Sequence, residues 1–512
     1  MSPALRITEL EHLNAQLTAR VAVLTQQLDW FQRQLFGAKS EKHSVLDPQV
    51  QGNLLAGLGA IPATPLPPVP SETVTYTRQK RRDHSVNDTG LRFDATVPVH
   101  EIMIGDPALE RLPESEREII AEKVTYRLAQ RPAAYVVMKY RRRVYKLRAR
   151  NTILTTVAPP AVLEQCVADV SLLAGMLCDK FLYHLPLYRQ HQRLAAAGIQ
   201  VSRTSLTHWS SRAIDLLAPI FAAQCAHVRA SRVVAMDETP IKAGRKAQGK
   251  LRQAYFWPLY GEADEVVFHY ADSRAHAQVE RFLGSGFQGT LVSDGYEAYA
   301  RFAQQNTAVT HASCWAHGRR YFEQAQAAAP QASREALLLI GALYHHEQVI
   351  RDRSLAGEPK LAYRTAHSAP VVRAFWQWCE AQCQRGDLLP SNPLSKALKY
   401  ARERIVGLQV FLSDPEVPID TNHLERALRP IPMGRRNWLF CWTELGAKQI
   451  GIIQSLIVTC RLHGIDVYTY LVDVLQRVSL QPAKDVIELT PRVWKDKFSH
   501  APMKSDIALA EQ

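Results

Sequence analysis

Apolar residues recur every seven positions through the first forty residues of the chain. Two such series run in parallel, with Leu10, Leu17, Leu24 and Phe31 in one and Ile7, Asn14, Val21, Leu28 and Leu35 in the other. A repeat of this length is typical of a coiled coil, in which the two series form the seam. The polar seam residue Asn14 favours a parallel two-stranded register, because two asparagines can pair across it. The pattern predicts a dimerisation helix over residues 1–42; the alternative is a single amphipathic helix packed on its own domain.

The repeat stops at residue 43, and a different pattern follows. Residues 43–90 contain the proline-rich stretch AIPATPLPPVP and the basic run TRQKRRDH, and we interpret them as a linker. Apolar and polar positions alternate across residues 91–157, as in YVVMKYRRRVYKLRA, which predicts a small β-rich basic module. Part of its charge belongs to a solvent-exposed face, and Arg141 and Arg143 are candidates for contacts to DNA phosphates.

Residues 158–228 carry the spacing of helices. The stretch LYRQHQRLAAAGIQVSRTSLTHW ends one helix near Gly198 and starts the next at Ser202, a residue type that caps helix N-termini. This pattern resembles a helix-turn-helix, whose second helix enters the major groove of DNA. Candidate contacts on that second helix are Arg203, Thr204 and His208, although a plain helical hairpin gives a similar pattern.

From residue 231 the chain changes to short apolar strands, and two of them end in an acid. SRVVAMDETPIK ends its strand at Asp237 and TLVSDGYEAY at Asp294, while YFWPLYG, EVVFHYADS and AVTHASCWAH predict further strands. Three strands, then a strand, a helix and a strand, is the order of a ribonuclease-H-like sheet, in which the first and fourth strands are neighbours. Two adjacent carboxylates repel each other, and a divalent cation removes the conflict. Oxygen ligands predict Mg²⁺ or Mn²⁺.

The stretch DTNHLERALRP supplies a third acid, Glu425, at the start of a helix. Taken alone, Asn422 and Glu425 predict a capping box. Together with Asp237 and Asp294, Glu425 would complete a site for two metal ions, which activate the attacking oxygen and stabilise the leaving oxygen. Arg429 follows Glu425 by one helical turn, and Arg435 and Arg436 come shortly after that. We expect these three arginines to bind the phosphates that flank the scissile bond.

Charge and cysteine usage narrow the class of partner and the location. The net charge of +13 over 512 residues favours a polyanionic partner, nucleic acid first. None of the eight cysteines forms a C-x-x-C pair, so a reducing cytosol is the simplest location. We find no secretory h-region and no uncharged apolar run long enough for a membrane span, and therefore expect a cytoplasmic, nucleoid-associated protein without membrane contact.

A C-x-x-H pair, Cys314 and His317, follows the predicted fifth strand. Its spacing is that of half a zinc site, and no obvious second pair accompanies it. We expect these two residues to support the geometry of the site or simply to pack, with zinc binding the weakest alternative, and we assign Asn422 to the same supporting group.

Several of these stretches resemble the signature blocks of the insertion-sequence-66 transposases: VVAMDETPIK, LVSDGYEAY, CWAHGRRYF and DTNHLERALRPIPMGRRNWLF. The segment HLPLYRQHQRLAAAGIQVSRTSLTHW and the later FCWTELGAKQIGIIQSLIVTCRLHGIDVYTYLVDVL are similar to the family's flanking segments, so the resemblance spans most of residues 1–480. The family usually carries a cysteine-based zinc motif after the zipper. Residues 86–157 contain no cysteine, so no structural zinc is expected.

The resemblance implies a multidomain α/β plus α protein with a ribonuclease-H-like mixed sheet interrupted by a large helical insertion. Asp237 and Asp294 are 57 positions apart and Glu425 follows after another 131, a gap that helical patterns fill. The predicted parts are a coiled coil (1–42), a linker (43–90), a β-rich zinc-binding-like remnant (91–157), a helix-turn-helix-like segment (158–228), a catalytic domain (229–440) with an insertion (319–415), a C-terminal helical segment (441–480) and a tail (481–512).

The implied function is that of a DD-E transposase. Such an enzyme cleaves DNA at the ends of a mobile element and transfers the 3′-OH into target DNA, with Asp237, Asp294 and Glu425 holding two Mg²⁺ ions. The implied partners are DNA, a second copy of the chain and small accessory proteins. Two alternatives stay open: a catalytically inactive, sequence-specific DNA-binding repressor, and a structure-selective, Mg²⁺-dependent nuclease.

Overall fold

The computed structural model describes residues 85–86, 91–131, 134–148, 151–247, 250–386, 388–435 and 443–510. The predicted coiled coil, with its dimerisation residues from Leu10 to Leu28, lies outside them, as do most of the linker and Arg436. The chain divides into two compact units, residues 1–80 and 81–512, and the described residues belong to the second unit. That unit is mixed α/β, as the sequence predicts.

Residues 91–157 form strands, in agreement with their alternating pattern. The long antiparallel hairpin of β4 and β5 is the centre of a sheet in which β3 runs parallel to β5 and β6 extends it. Buried Val137, Met138 and Tyr140 come from one stretch of β5. The elements here are β1 (Ser85–Val86), β2 (Arg92–Phe93), β3 (Val99–Ile104), α1 (Pro107–Glu110), β4 (Arg117–Arg131), β5 (Ala134–Leu147) and β6 (Thr152–Thr155).

The next segment is helical and contains the predicted helix, turn and helix. Gly198 turns the chain at φ +81°, a conformation that favours glycine. Ser202 caps the following helix by accepting a hydrogen bond from the Ser205 N–H at 2.9 Å. Leu206 and Trp209 are buried against the core. The elements are α2 (Val170–Phe181), α3 (Leu187–Ala196), β7 (Ile199–Gln200), α4 (Arg203–Leu216) and α5 (Ala218–Arg229).

A second mixed sheet follows, with the strand order β11–β10–β8–β12–β13. Strand β10 is antiparallel to β8, β9 and β11, whereas β12 is parallel to both β8 and β13. All four residues of β8 are buried, as expected for a central strand that is covered on both faces. The elements are β8 (Val233–Met236), β9 (Thr239–Ala247), β10 (Lys250–Tyr260), β11 (Val266–Ala271), α6 (Ala277–Leu283), β12 (Gly289–Ser293), α7 (Glu297–Gln305) and β13 (Val309–Ser313).

Helices fill most of the chain between β13 and Glu425, as predicted. Their centre is Arg364, which is fully buried in a π-helical turn. Its guanidinium forms a two-point ion pair with Glu347, at 2.8 and 2.9 Å, and donates to the carbonyls of Phe411 and Val417. The elements are α8 (Trp315–Ala325), α9 (Pro330–Asp352), α10 (Gly357–Tyr363), the π-helical turn Arg364–Ser368, α11 (Ala369–Cys383), α12 (Pro393–Glu403) and the 3-10 helix Gly407–Leu412.

The C-terminal helices cover the edge of the second sheet and reach back to the first. On the long helix α15, the Ser455 hydroxyl accepts a hydrogen bond from the backbone N–H of Phe268 in the edge strand β11. A Cβ on Gly451 would lie 2.4 Å from the Phe268 carbonyl, so only glycine fits there. The elements are α13 (Asn422–Leu428), α14 (Pro430–Gly434), α15 (Glu444–Leu462), α16 (Val467–Arg477), the 3-10 helix Ala483–Leu489, α17 (Pro491–Lys497) and α18 (Asp506–Ala510).

Residues 481–512, expected as a tail, are folded where the structure describes them. Trp494 is buried and its ring packs edge-on against Tyr470. Ile507 belongs to the small core of the first sheet, and the Tyr140 hydroxyl donates to Asp506 at 2.5 Å. The segment therefore joins the β-rich module to the helices. Among the described helices, none combines the length and apolar character that crossing a membrane requires.

We predict that Arg364→Met destabilises the protein by about 3–5 kcal/mol, because the substitution leaves Glu347 buried without its partner and several carbonyls without a donor. Thermal and urea unfolding of the full-length chain measure this effect. The matched control is Arg351→Met in the same region, where the arginine is exposed and bonds Gln348, and it should change stability by less than about 0.5 kcal/mol. Equal stability of the two variants would contradict the assigned role of Arg364.

Candidate active site

Asp237 and Asp294 directly follow the C-terminal ends of the neighbouring parallel strands β8 and β12. The ladder pairs Thr290 with Val233 and Val292 with Ala235, an offset of 57 positions. The two acids are separated by the same 57 positions, so continuing the ladder sets them opposite each other. Neighbouring strands lie about 4.8 Å apart. The register of two buried strands therefore brings the two acids together.

A proline explains why the strand breaks at the first acid. Strands β8 and β9 pair with β10 in one register, Met236 with Leu259 and Thr239 with Phe256. That register places Asp237 opposite Pro258, which has no N–H to donate to the ladder. The Asp237 N–H still donates to the Pro258 carbonyl at 3.4 Å, but the regular strand pairing is interrupted at the two acids Asp237 and Glu238.

The Asp237 carboxyl is in an unfavourable place for a negative charge. Its pKa is raised from the ordinary 3.8 to about 8, first by burial and then by the charges of Glu238 and Asp294, with a smaller contribution from Glu425. One hydrogen bond, from the Glu238 N–H at 2.8 Å, opposes this effect. All three predicted acids therefore act electrostatically on one site. Within the described ranges, however, no three Asp, Glu, His or Cys side chains lie close enough together to hold a metal ion.

The third acid, Glu425, lies on α13 beside α8. Its Oε1 is 3.6 Å from Nε2 of His317 and 3.9 Å from the guanidinium of Arg320. Burial lowers the pKa of His317, while the charges of Asp294 and Glu425 oppose that shift. The other ring nitrogen of His317, Nδ1, is buried and has no hydrogen-bond partner among the described residues. Glu425 thus faces a partly buried histidine whose own pKa is lowered by that burial.

The capping box predicted from Asn422 and Glu425 is wrong. The helix begins at Asn422, so the cap position falls on Thr421, whose side chain makes no capping bond. The Asn422 amide instead donates to the Asp420 carboxylate at 2.5 Å, and the Asn422 N–H bonds the same acid at 3.0 Å. Asp420 is the nearer acceptor, and short polar side chains such as asparagine often form local hydrogen bonds of this kind. Asn422 therefore braces the turn before α13.

Cys314 and Trp315 fasten that turn to the end of β13. The buried Cys314 sulfur accepts hydrogen bonds from both the N–H and the hydroxyl of Thr421, each at 3.3 Å. The Trp315 N–H donates to the Ile419 carbonyl at 3.1 Å, and its indole N–H donates to the Leu408 carbonyl at 2.7 Å. We call these contacts the Cys314 clasp. They hold the segment that leads into α13, and so they position Glu425.

Glu238 is a fourth acid at the site, and we did not single it out from the sequence. Its carboxylate binds the guanidinium of Arg274 and accepts a hydrogen bond from the Tyr299 hydroxyl. Arg274 in turn lies 4.1 Å above the ring of Tyr296, which follows Asp294 closely in the chain. The network ties the end of β8 to the start of α7. The only sequence signal was the position of Glu238 next to Asp237.

Two of the predicted phosphate-binding arginines differ in their surroundings. Arg435 donates from Nη1 to the Pro240 carbonyl at 2.6 Å, close in sequence to Asp237. Arg429 is exposed at the junction of α13 and α14. Their roles toward DNA stay predictions, and Arg436 lies outside the described residues.

The candidate DNA contacts on the β-rich module are already paired with acids. Arg141 contacts Glu122 at 2.6 Å and Glu101 at 3.3 Å, and Arg143 lies 3.4 Å from Glu110. By contrast, Arg203, Thr204 and His208 are exposed along the first turns of α4. Among the described residues, the two candidate DNA-binding surfaces therefore differ: the positive charge on α4 is less neutralised by acids than that of the β-rich module.

Comparison with known proteins finds family models along most of the chain. The model described as Transposase IS66 family matches residues 165–449, the IS66 C-terminal element matches 455–492, and the model described as Transposase C of IS166 homeodomain matches 23–102. The chain is similar to uncharacterized protein y4jD of Sinorhizobium fredii (strain NBRC 101917 / NGR234), with 28% identity over 498 residues, 93% of this chain and 94% of that one. It is also similar to uncharacterized protein y4hP of the same strain, with 31% identity over 399 residues, 73% of this chain and 71% of the other.

The raised pKa of Asp237 predicts a pH-dependent stability of the metal-free protein. Between its ordinary pKa of 3.8 and about 8, the folded state binds the proton more tightly than the unfolded state does, so stability falls as pH rises through this window. Asp237→Asn removes this titration and should stabilise the chelator-treated protein near pH 8, by a few kcal/mol at most, but hardly near pH 4. Melting temperatures across this range measure the difference. Parallel curves for the two proteins would contradict the buried, protonated Asp237.

Proposed function

This chain belongs to the IS66 transposase family, which implies a function in transposition, and we propose from this premise that it is a DD-E transposase. In this proposal it cleaves DNA at the ends of a mobile element and transfers the resulting 3′-OH into target DNA. The observation that carries the proposal is the meeting of Asp237 and Asp294 at adjacent strand ends, within electrostatic reach of Glu425.

The strand order supports a ribonuclease-H-like catalytic domain. In chain order, β8, β9 and β11 all pair antiparallel with β10, and the two strands that follow, β12 and β13, form a parallel pair on the other side of β8. Glu425 comes from a helix that follows the helical insertion. This is the arrangement that the family resemblance implies for a DD-E enzyme.

The donor set fits a hard divalent cation. Asp237, Asp294 and Glu425 would hold Mg²⁺ or Mn²⁺, because these ions prefer carboxylate oxygens and would remove the repulsion that raises the pKa of Asp237. When bound, the ion supplies charge neutralisation at the phosphate and lowers the pKa of the attacking hydroxyl group.

The surrounding residues would position the acids and the DNA. The Cys314 clasp and Asn422 fix the start of α13, and the Glu238–Arg274 network holds the two aspartate-bearing corners together. Arg320 and Arg435 place positive charge near the acids, where a phosphate of the substrate would lie. Phosphoryl transfer depends mostly on such positioning and charge, so no covalent protein nucleophile is needed.

We assign DNA recognition to α4 and dimerisation to the coiled coil that the sequence predicts over residues 1–42. The exposed Arg203, Thr204 and His208 would face the major groove. Accessory proteins encoded beside the gene belong to the same proposal and rest on the family alone.

Asp237→Asn and Glu425→Gln should each reduce Mg²⁺-dependent cleavage of element-end DNA by more than about 10²-fold, because each removes a charge that the metal requires. DNA affinity measured in chelator should remain nearly unchanged. The control is Glu297→Gln, an exposed acid on α7.

A gel assay that separates nicked product from joined product distinguishes the possible functions. Joining of a 3′-OH to a second duplex supports the transposase, hydrolysis without joining supports the nuclease, and binding without either supports the repressor. Unchanged strand transfer by Asp237→Asn would remove this residue from the mechanism.

DNA affinity should fall steeply with salt, with the slope of log K against log salt rising by about 0.9 for each phosphate that is neutralised. Arg203→Ala should reduce the slope by about one. Arg141→Ala should change it less, because that guanidinium is paired with Glu101 and Glu122. Fluorescence anisotropy with a labelled duplex across a salt series tests both variants. A larger effect of Arg141→Ala would place the DNA on the β-rich module instead.

A further inference from the structure

A cavity of about 530 Å³ opens beside α13, next to the candidate active site. Three arginines line it: Arg426 and Arg429 at the C-terminal end of α13, and Arg461 near the end of α15. We call it the arginine pocket. Arg426 directly follows Glu425, so the pocket and the third acid share one short helix.

The positive charge of the arginine pocket is uncompensated. No Asp or Glu lines it. Within the part of the chain that the structure describes, the guanidiniums of Arg426, Arg429 and Arg461 make neither an ion pair nor a hydrogen bond. Three like charges around one cavity repel each other, and an anion bound between them would relieve the repulsion. Guanidiniums that are free of intramolecular partners are also the groups that best match phosphate oxygens.

The remaining wall of the pocket is mostly apolar, with His184, Tyr260 and His423 as its polar members. Met433 is 59% exposed and Leu462 is 40% exposed, and both line the cavity together with Leu182 and Val458. Exposed apolar side chains beside unpaired arginines fit a ligand that carries an anionic group and a flat, weakly polar body. A phosphate alone would leave this wall uncovered.

These features together match a nucleotide. We propose that the arginine pocket binds an unpaired nucleotide of the DNA substrate, with its phosphate on the arginines and its base against Met433 and Leu462. A paired base is stacked inside the duplex and cannot enter a concave site of this size, whereas an unpaired base can. Because Glu425 and Arg426 are consecutive, a strand that reaches the acids has only a short distance to the pocket. This inference rests on the proposed function in taking DNA as the ligand.

Binding of three labelled DNAs to the full-length protein in chelator tests the proposal. The first is a blunt duplex, the second carries a short single-stranded extension, and the third carries the same extension without bases. We expect the base-bearing extension to bind about tenfold more tightly than the other two, the gain that stacking of one base provides.

Two variants connect this preference to the pocket. Met433→Ala should remove the difference between the base-bearing and abasic extensions. Arg461→Met should weaken binding of both extensions severalfold and reduce the slope of log K against log salt by about 0.7. Arg461→Lys keeps the positive charge and should therefore retain part of the affinity. The matched control is Arg334→Met, an exposed arginine on α9, which should leave the preference unchanged. Circular dichroism and melting temperature check that each variant is folded.

The proposal is overturned if the wild type shows no preference for the base-bearing extension, if the abasic extension binds equally well, or if Arg461→Met weakens the blunt duplex as much as the extended one. A separate cleavage assay of the wild type with Mg²⁺ keeps the two proposals apart. Cleavage without the preference rejects only the nucleotide pocket, and the preference without cleavage rejects only the catalytic function.

Discussion

The candidate site depends on how the chain is held when it returns to the sheet after the helical region. Glu425 lies 131 positions beyond Asp294, and a connection of that length does not by itself bring a side chain back to a defined point. The Cys314 clasp provides the attachment, because the sulfur of a residue at the end of β13 bonds both polar groups of Thr421. Arg364 fixes the chain just before that point by bonding the carbonyls of Phe411 and Val417. The helical region thus ends in a fixed position for α13.

Helix α13 separates two regions of unbalanced charge. On one side Asp237, with its pKa raised to about 8, lies within reach of Glu425. On the other side are Arg426 and Arg429, which line a cavity without an acid. Pairing such charges with each other would be more favourable for stability, as the ion pair between Arg364 and Glu347 illustrates. In the two proposals above, a cation would balance the charge of the acids and a DNA phosphate would balance the charge of the arginines.

The sequence predicts the parts of the site that depend on short-range pattern. Buried strands give apolar runs, so the runs before Asp237 and Asp294 locate both acids at strand ends, and the spacing of 57 matches the observed register. Ser202 predicts its helix start because a cap bonds residues close in sequence. Contacts between distant residues leave no such pattern. The bonds of Cys314 join positions 107 apart, so the C-x-x-H spacing predicts a supporting role for Cys314 but does not reveal its partner Thr421. The capping bond predicted for Asn422 does not form because Asp420 offers its side chain an equally local contact.

The location of net positive charge on the surface illustrates the same limit of sequence reasoning. The run of basic residues on β5 stands out in the sequence, yet Lys139 and Arg141 both lie against Glu101, so the strand presents much less net charge than its composition suggests. The acids that neutralise it come from β3 and β4 and are scattered among apolar residues. Arg426 and Arg461 are 35 positions apart and inconspicuous in sequence, but they meet at one cavity without a compensating acid. Because net rather than total charge attracts DNA phosphates, we propose that they bind the surface near α13 rather than the basic strand.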